Sequence, residues 1–454
     1  MNVGLLLGVP RARSQLRSHD RWSRQELLDH QARALRELRD FATAHSPFYR
    51  DLHRGLDSAP LHELPIVTKQ MVMDRFDDLV TDRGIRLSDV LAYLEHAGAP
   101  DTFMGRYRVA ATGGTTGRRG IFLADAAEWR TILASYSRAY DWGGVAARLT
   151  NRLRMAVVSS RNPSHQSAIV GATVASPIIP TLRLDASESI EEIVRELNLF
   201  RPDALVGYAS ILRALADEQQ AGRLTIRPKG IVSASEVLTE QSRERIRQAF
   251  GVAPTNVYAA TETAGIASEC RHGRVHRYED LVIAEIVDEH IQPVPPGEYG
   301  AKLLVTVLFS RTQPLIRYEM SDRVAATGES CPDGLPFGLL AGIQGREEEV
   351  LTLAGATVHP NVFHAVLEKL PVGGWQVVEE DGRLRILLVG GADLVDAAVV
   401  QADLVSALHR VGASGISIAV EFVDAIPRTA LGKAPLVRRG IRVDPAGTLT
   451  GYPA

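Results

Sequence analysis

Cysteine is nearly absent, with two in 454 residues. That excludes a disulfide framework and fits a reducing compartment. Long apolar runs are missing too. The stretch Val3 to Val9 is far short of the roughly 20 residues a bilayer span needs, and no basic leader precedes it. The expectation is a soluble, cytoplasmic protein without a membrane partner. Neither sign of charge dominates: 51 Lys plus Arg face 54 Asp plus Glu, a net charge of −3. With no single-sign run, nucleic acid is not an expected partner. Internal repeats and low-complexity linkers are lacking as well.

What remains is an ordinary globular composition, 45% hydrophobic and 23% charged. One core stops growing at roughly 250–300 residues, so this length implies at least two domains. Residues 24–45 predict an amphipathic helix with a stripe of Leu28, Ala32, Leu35, Leu38 and Ala42. Further on, short apolar runs alternate with helical patterns. Strands are expected at 155–160, 204–208, 230–235 and 256–260. Helices are expected at 189–200, opened by Ser189 with Glu192 at capping-box spacing, after residue 208, and from Thr239 to Phe250. Strand, helix, strand in repetition predicts an α/β fold with a largely parallel sheet. Residues 302–308 begin a β-rich subdomain. The division expected is a large N-terminal domain over 1–344, a hinge at 345–349, and a small mobile α+β domain over 350–454. The last contains a hairpin turning at Asp381-Gly382, a helix over 393–412 and a strand over 416–427.

Several segments carry chemistry. Ala111 to Gly120 reads ATGGTTGRRG, with four glycines and three threonines. Such a segment exposes backbone N–H groups and hydroxyls that can wrap a polyphosphate, although a plain turn has the same composition. It is not a Walker loop, because no Gly-Lys-Ser/Thr follows. Glu262, just past a strand end, is a hard oxygen ligand suited to Mg²⁺, or else a solvated carboxylate. Tyr258 offers an aromatic face or a core ring. Thr261 supplies a hydroxyl. The Asp322 carboxylate can accept two hydroxyl donors at once. Arg346 suits phosphate or ribose, whereas Arg317 reads as a salt-bridging structural residue. The Lys433 ammonium lies on a Pro/Gly-punctuated segment that can be brought over a distant site.

The order of these segments resembles the adenylate-forming superfamily of acyl-coenzyme A synthetases, adenylation domains and luciferases. It is most similar to the phenylacetate–coenzyme A ligase group. The resemblance runs through LRELRDFATAHSPFYRD, LPIVTKQMV, the Thr/Gly loop, SASEVLT (233–239), YAATETAG (258–265), QPLIRYEMSDRV (313–324), GREEEV (345–350), GATVHP (355–360) and PRTALGK (427–433). It implies ATP-dependent activation of a carboxylic acid with Mg²⁺, then transfer of the acyl group. Thr112, Gly113, Gly114, Thr115, Thr116 and Gly117 would hold the phosphates. Ser235, Glu236 and Tyr258 would lie along the adenine, Asp322 and Arg346 at the ribose, and Thr261 and Glu262 at the phosphates and Mg²⁺. Lys433 would bridge the substrate carboxylate and the α-phosphate, and Glu348 would be the hinge residue. Three consecutive glutamates would otherwise be read as solvated surface. This chain departs from the pattern at Ala259, Ser321 and Glu348, where the family usually has Gly, Gly and Asp.

By family position the acyl pocket would use Tyr136, Tyr140, Trp142, Gly207, Tyr208 and Ala259, with His165 within reach. That compact aromatic lining favours an aryl or arylacetic acid, unless the rings are simply core. Some members of the group also hold a structural zinc. The corresponding residues here are Cys270, His276, Cys331 and Asp333, with Asp333 in place of a thiolate and His272 as a competing ligand. The acceptor implied is coenzyme A. An amine or a carrier-protein phosphopantetheine would serve the same first step, and a non-catalytic nucleotide-binding relative is the third reading. Resemblance alone suggests a homodimer.

Overall fold

The computed structural model describes residues 3–98, 101–112, 119–144, 152–346, 351–358, 360–367, 369–380, 382–427, 436–439, 442–443 and 449–450. Gly113 to Gly117, Glu348 and Lys433 lie outside the described residues, as does the side chain of Arg346.

A nine-stranded sheet organises the larger part of the chain. In spatial order its strands are Asp322–Thr327, Leu339–Arg346, Val275–Arg277, Ala264–Glu269, Pro254–Ala260, Gly230–Ala234, Ala204–Gly207, Met155–Ser159 and Thr181–Asp185. From Pro254–Ala260 to Thr181–Asp185 every pairing is parallel. This is where strand–helix–strand spacing was legible, because a parallel pair needs a crossover long enough for a helix. The rest of the sheet is antiparallel, part of it joined by short turns and part pairing strands far apart in the chain. A separate three-stranded antiparallel sheet holds Val282–Val287, Lys302–Val307 and Tyr318–Met320.

Helix ends follow their caps. Ser189 accepts the Glu192 N–H at 3.2 Å and opens Ile190–Phe200, whose buried side is Ile193, Val194 and Leu197. The Thr239 hydroxyl opens Glu240–Phe250 in the same way. The helix Arg24–His45 carries a full capping box from Ser23 and Glu26. Its buried residues are Leu27, Leu38 and Ala42, so the expected stripe is shifted at its N-terminal end, and Leu28 is exposed. The shift has a tertiary cause. Arg24 and Gln31 on this helix bond to Glu279 at 3.1 and 2.7 Å, and Arg24 also reaches the Pro336 carbonyl at 3.1 Å. Those anchors set the rotation of the helix.

An additional helix, Val3–His19, accounts for the apolar start of the chain. Together the N-terminal helices close one large core, in which Leu16, Leu27 and Tyr49 meet Leu303, Tyr318 and Leu340. Toward the C-terminus lies a second, separate core. There Trp375, Ile386, Leu404 and Val437 pack around a four-stranded sheet ordered Ile418–Val423, Arg383–Val389, Gly374–Glu380 and Val437–Arg439. The expected hairpin is present, with Gly382 at φ +78° in its turn. Among the described residues no helix is long and apolar enough to cross a membrane.

Candidate active site at the carboxyl edge of the parallel strands

Gly207, Ser233 and Ala234 end neighbouring parallel strands, with Gly207 opposite Ser233 and Ala234 opposite Val257. In open α/β sheets, ligands bind at this carboxyl edge. Two residues with side chains adopt left-handed backbone beside it, Ser235 at φ +68° and Ala264 at φ +62°. Such conformations cost of order 1–3 kcal/mol each and persist where the surroundings impose them. Just past Ser235, the Glu236 Oε2 accepts the Ser210 N–H at 2.9 Å, at the start of the helix Ala209–Gln220.

Thr261 to Thr263 turn the chain from Pro254–Ala260 into Ala264–Glu269. The turn is closed by Thr263 N–H to the Ala260 carbonyl at 3.3 Å and by the Thr263 hydroxyl to the Ala264 carbonyl at 3.0 Å. Glu262 is half-buried. Its Oε2 is shut off from solvent and has no hydrogen-bond partner among the described residues. A buried carboxylate oxygen without a donor is costly unless something positive meets it. This atom therefore fits a metal-ion ligand, and an oxygen donor suits Mg²⁺.

The neck of the Thr/Gly loop is well defined. Thr112 N–H donates to the Gly120 carbonyl at 2.9 Å, and the Gly120 N–H donates back to the Thr112 hydroxyl at 2.8 Å. A Cβ at Gly120 would sit 2.8 Å from the Phe122 ring, so the neck needs glycine there. Asp322 is 9% exposed, opposite Arg346 in register, with a bulge immediately after it. Tyr258 is also 9% exposed and belongs to the large core, so its ring is a wall more than an open face. Arg317 has the structural place expected of it: 3% exposed, φ +51°, its Nε donating to Glu285 at 3.2 Å.

The structure brings Tyr136, Tyr140 and Ala259 together. They are half-buried around Ala139, Val232 and Val257, with Val206 and Ala234 beside them, between the helix Ala126–Trp142 and the parallel strands. Burial raises both tyrosine pKa values, so both phenols stay protonated. The Tyr136 hydroxyl donates to Gln166 Oε1 at 3.0 Å, next to the half-buried His165. Gly207 must be small: a Cβ there would lie 3.2 Å from the Val158 carbonyl oxygen. Two other expected residues are elsewhere. Tyr208 is 1% exposed in the core beneath the crossover helices, its hydroxyl accepting the Ser160 N–H at 2.9 Å. Trp142 faces away from Tyr140 into the large core, edge-on to Tyr278 at 5.5 Å, with its Nε1 donating to Asp20 at 3.2 Å. Periodicity explains both. Trp142 is two residues past Tyr140, on the other side of the helix. Tyr208 stands at the N-cap, where the chain has already turned from the strand.

Sequence reading passed over the opposite face of the same helix. Arg138 is 2% exposed and makes a two-pronged bond to Asp280, with both N–H···O distances 2.8 Å. The signal available was an arginine amid the small and aromatic residues of ILASYSRAYDW.

The four candidate zinc ligands also converge. Donor atoms of Cys270, His276, Cys331 and Asp333 all lie within 4.8 Å of one another. The two sulfurs are 3.6 Å apart, against about 3.8 Å for two thiolates on a tetrahedral Zn²⁺ with 2.3 Å bonds. His276 Nδ1 lies 3.4 Å from the Phe337 carbonyl, and its buried Nε2 has no partner among the described residues. That is the usual arrangement when one ring nitrogen is oriented so that the other can ligate. Burial and the Asp333 carboxylate push the Cys270 thiol up to about 12, and burial lowers His276. Desolvation would raise Asp333, but hydrogen bonds from Cys270 and Arg271 outweigh it and hold that carboxyl low. His272 reaches Asp333 Oδ1 at 3.2 Å and is not part of the cluster. The donor set therefore fits zinc.

No family profile matches the chain. Over 189 residues it is 31% identical to the phenylacetate-coenzyme A ligase of Thermus thermophilus, covering 39% of this chain and 42% of that one. Over 319 residues it is 23% identical to protein CapK of Staphylococcus aureus, covering 67% and 64%. The chain thus spans less than two thirds of either relative's length. Among solved structures, 2-hydroxyisobutyryl-CoA ligase in its postadenylation state superposes with a TM-score of 0.69, at 20% identity, over 89% of this chain and 87% of that one. This chain has the fold of the adenylate-forming coenzyme A ligases. The same ligase in its thioesterification state, with 2-HIB-AMP and CoA, gives 0.58 at 20% identity over 92% and 91%. An anthranilate-CoA ligase with anthranoyl-AMP gives 0.50 at 16% identity over 72% and 65%. The ligase fold bears out the expected architecture, and the overall arrangement here superposes better on the postadenylation state.

Proposed function

We propose that this protein is an ATP-dependent, AMP-forming ligase that turns a carboxylic acid into an acyl-adenylate and then passes the acyl group to coenzyme A. The observation that carries the proposal is the Glu262 turn. It holds a buried carboxylate oxygen with no donor among the described residues, at the carboxyl edge of parallel strands, in a chain with the ligase fold.

In the first step a carboxylate oxygen of the acid attacks the α-phosphorus of ATP, the bond to the bridging oxygen breaks, and pyrophosphate leaves. In the second, a thiol sulfur attacks the acyl carbonyl, the C–O bond to AMP breaks, and the thiol proton is released to solvent. Both first-step reactants are anions, so catalysis is positioning plus charge compensation. Glu262 would hold Mg²⁺, which supplies positive charge against the phosphates, and Thr261 would offer its hydroxyl to a phosphate. Thr112 and the glycines and threonines at 113–117 would wrap those phosphates. Ser235, Glu236 and Tyr258 would bound the adenine, and Asp322 with Arg346 the ribose. Lys433 would meet the charge that develops between carboxylate and α-phosphate. The division into 1–344, a hinge at 345–349 centred on Glu348, and 350–454 would let the small domain turn between steps. Tyr136, Tyr140 and Ala259 would form a compact wall with two aromatic rings, which supports an aryl or arylacetic acid. Zinc at Cys270, His276, Cys331 and Asp333 would have a structural role, tying the loop at 331–333 to the antiparallel half of the sheet. A cytoplasmic homodimer completes the proposal.

The test is pyrophosphate release with ATP, Mg²⁺ and a panel of aryl and arylacetic acids, with and without coenzyme A. Release with one acid, and thioester on adding coenzyme A, is the expected result. Release without thioester would move the acceptor to an amine or a carrier-protein phosphopantetheine. Release with no acid, together with no ATP binding, would overturn the proposal.

A further inference from the structure

Tyr136 and Tyr140 are four residues apart on the helix Ala126–Trp142, so they stack on one face. Arg138 lies midway between them in sequence and projects from the other side, about 3 Å along the axis from each. It is buried, and both terminal nitrogens of its guanidinium are hydrogen-bonded. Asp280 takes both prongs at 2.8 Å, and the Leu16 carbonyl accepts at 3.2 Å. Asp20 lies 3.6 Å from Nε, and the Tyr278 and Phe337 rings are each 4.9 Å away. Asp280 is itself fixed by His19 Nδ1 at 2.7 Å. One turn further on, Asp141 takes Arg13 Nε at 2.8 Å and Arg17 Nε at 3.1 Å from the helix Val3–His19.

We infer that Arg138, with Asp280 and Asp141, positions the acyl-pocket face of this helix and so sets which acid the site accepts. The inference rests on the reading of Tyr136, Tyr140 and Ala259 as the pocket wall. Its physical basis is rotational. A planar fork bonded through two parallel N–H···O contacts fixes the azimuth of its helix, which a single ammonium contact does not. A rotation or slide of the helix would move both tyrosines relative to Val232, Val257 and Ala259, which lie on two neighbouring strands. The same helix also backs the strand after the Glu262 turn: Gly265 N–H donates to the Ser135 hydroxyl at 3.3 Å, and a Cβ at Gly265 would come within 2.7 Å of Tyr278. The bracing therefore sits between the N-terminal helices and both halves of the site. Arg138 and Asp280 are buried on the side of the helix away from Tyr136 and Tyr140, so the braces are positioning residues.

The experiment measures acid-dependent ATP–pyrophosphate exchange with phenylacetate and benzoate as probes. The variants are Arg138→Lys, the charge-neutral pair Arg138→Met with Asp280→Asn, and the less deeply placed Asp141→Ala. The expected result is a KM for the acid raised about tenfold or more, a changed phenylacetate-to-benzoate ratio, and a KM for ATP within about twofold of the starting protein. Arg138→Lys should be worse than its retained charge suggests. Asp141→Ala keeps the question answerable if the buried variants do not fold. Ala259→Leu is run beside them as a direct probe of the pocket wall. If Ala259→Leu changes the acid ratio while every folded brace variant leaves it unchanged, the positioning role is overturned and the pocket reading stands. If Ala259→Leu also leaves the ratio unchanged, the pocket reading fails, and the inference with it.

Discussion

His53 is the buried group whose titration the structure exposes most directly. It is 2% exposed, follows the short helix Pro47–Leu52, and neither ring nitrogen has a hydrogen-bond partner among the described residues. Burial, with a smaller contribution from the Arg39 charge, lowers its pKa from 6.5 to about 4. The unfolded chain thus binds a proton over a range in which the folded protein does not. Stability rises with pH wherever the unfolded state holds more protons, so His53 costs nothing above pH 6.5 and a growing amount as pH falls toward 4. At pH 5 the difference is about 2 kcal/mol, from the ratio of the two protonation factors at RT of 0.59 kcal/mol. His53→Leu should remove that dependence. Measured by calorimetry against the starting protein, the melting temperature of the variant should gain roughly 2–3 °C between pH 8 and pH 5. A Tm difference that stays constant across that range would refute the reasoning, because it would mean that the imidazole does not change protonation differently in the two states.

Further outcomes follow from the site. Glu262→Gln keeps the shape of the turn but removes the charge, and pyrophosphate exchange should fall by about 10²-fold or more with a raised Mg²⁺ requirement. Lys433→Ala should nearly abolish adenylate formation while circular dichroism stays unchanged; exchange near the starting rate would sink its assigned role. Glu348→Pro should spare exchange and block thioester formation, and equal damage to both half-reactions would count against a hinge. Metal analysis should find one zinc per chain. Cys270→Ser should lose it and lower the melting temperature, and a chain that is metal-free yet equally stable would remove zinc from the account.

Local signals decided how much could be read beforehand. Ser189, Thr239 and the alternating strands at 155–160, 204–208 and 230–235 carry their structure in a few neighbouring residues, and the structure has them where expected. The antiparallel half of the sheet was harder, because Val275–Arg277 is three residues long and pairs with Leu339 and Leu340 far along the chain. Helix rotation was the other gap. The Arg24–His45 stripe is turned by contacts to Glu279 that no window of sequence contains. In the candidate site, the convergence of Cys270, His276, Cys331 and Asp333 was expected from the family resemblance and not from residue type alone. The burial of Trp142 and Tyr208 in the cores was not legible, since which side of the wall an aromatic ring takes depends on where its element turns.

The anchoring of the first helices on distant residues also governs when the protein can fold. Arg24 meets Pro336 across 312 positions, and Tyr49 donates to the Pro314 carbonyl across 265. At roughly 5–20 residues per second of synthesis, the N-terminal helices wait about 15–60 s for these partners to be made. During that interval Leu27, Leu38, Phe48 and Tyr49, all essentially unexposed in the finished fold, have no core to enter. The parallel strands between residues 155 and 260 can assemble meanwhile, since their partners are close in sequence. The nascent chain therefore emerges with its beginning unfinished, and chaperone demand during translation should be concentrated on its first fifty residues.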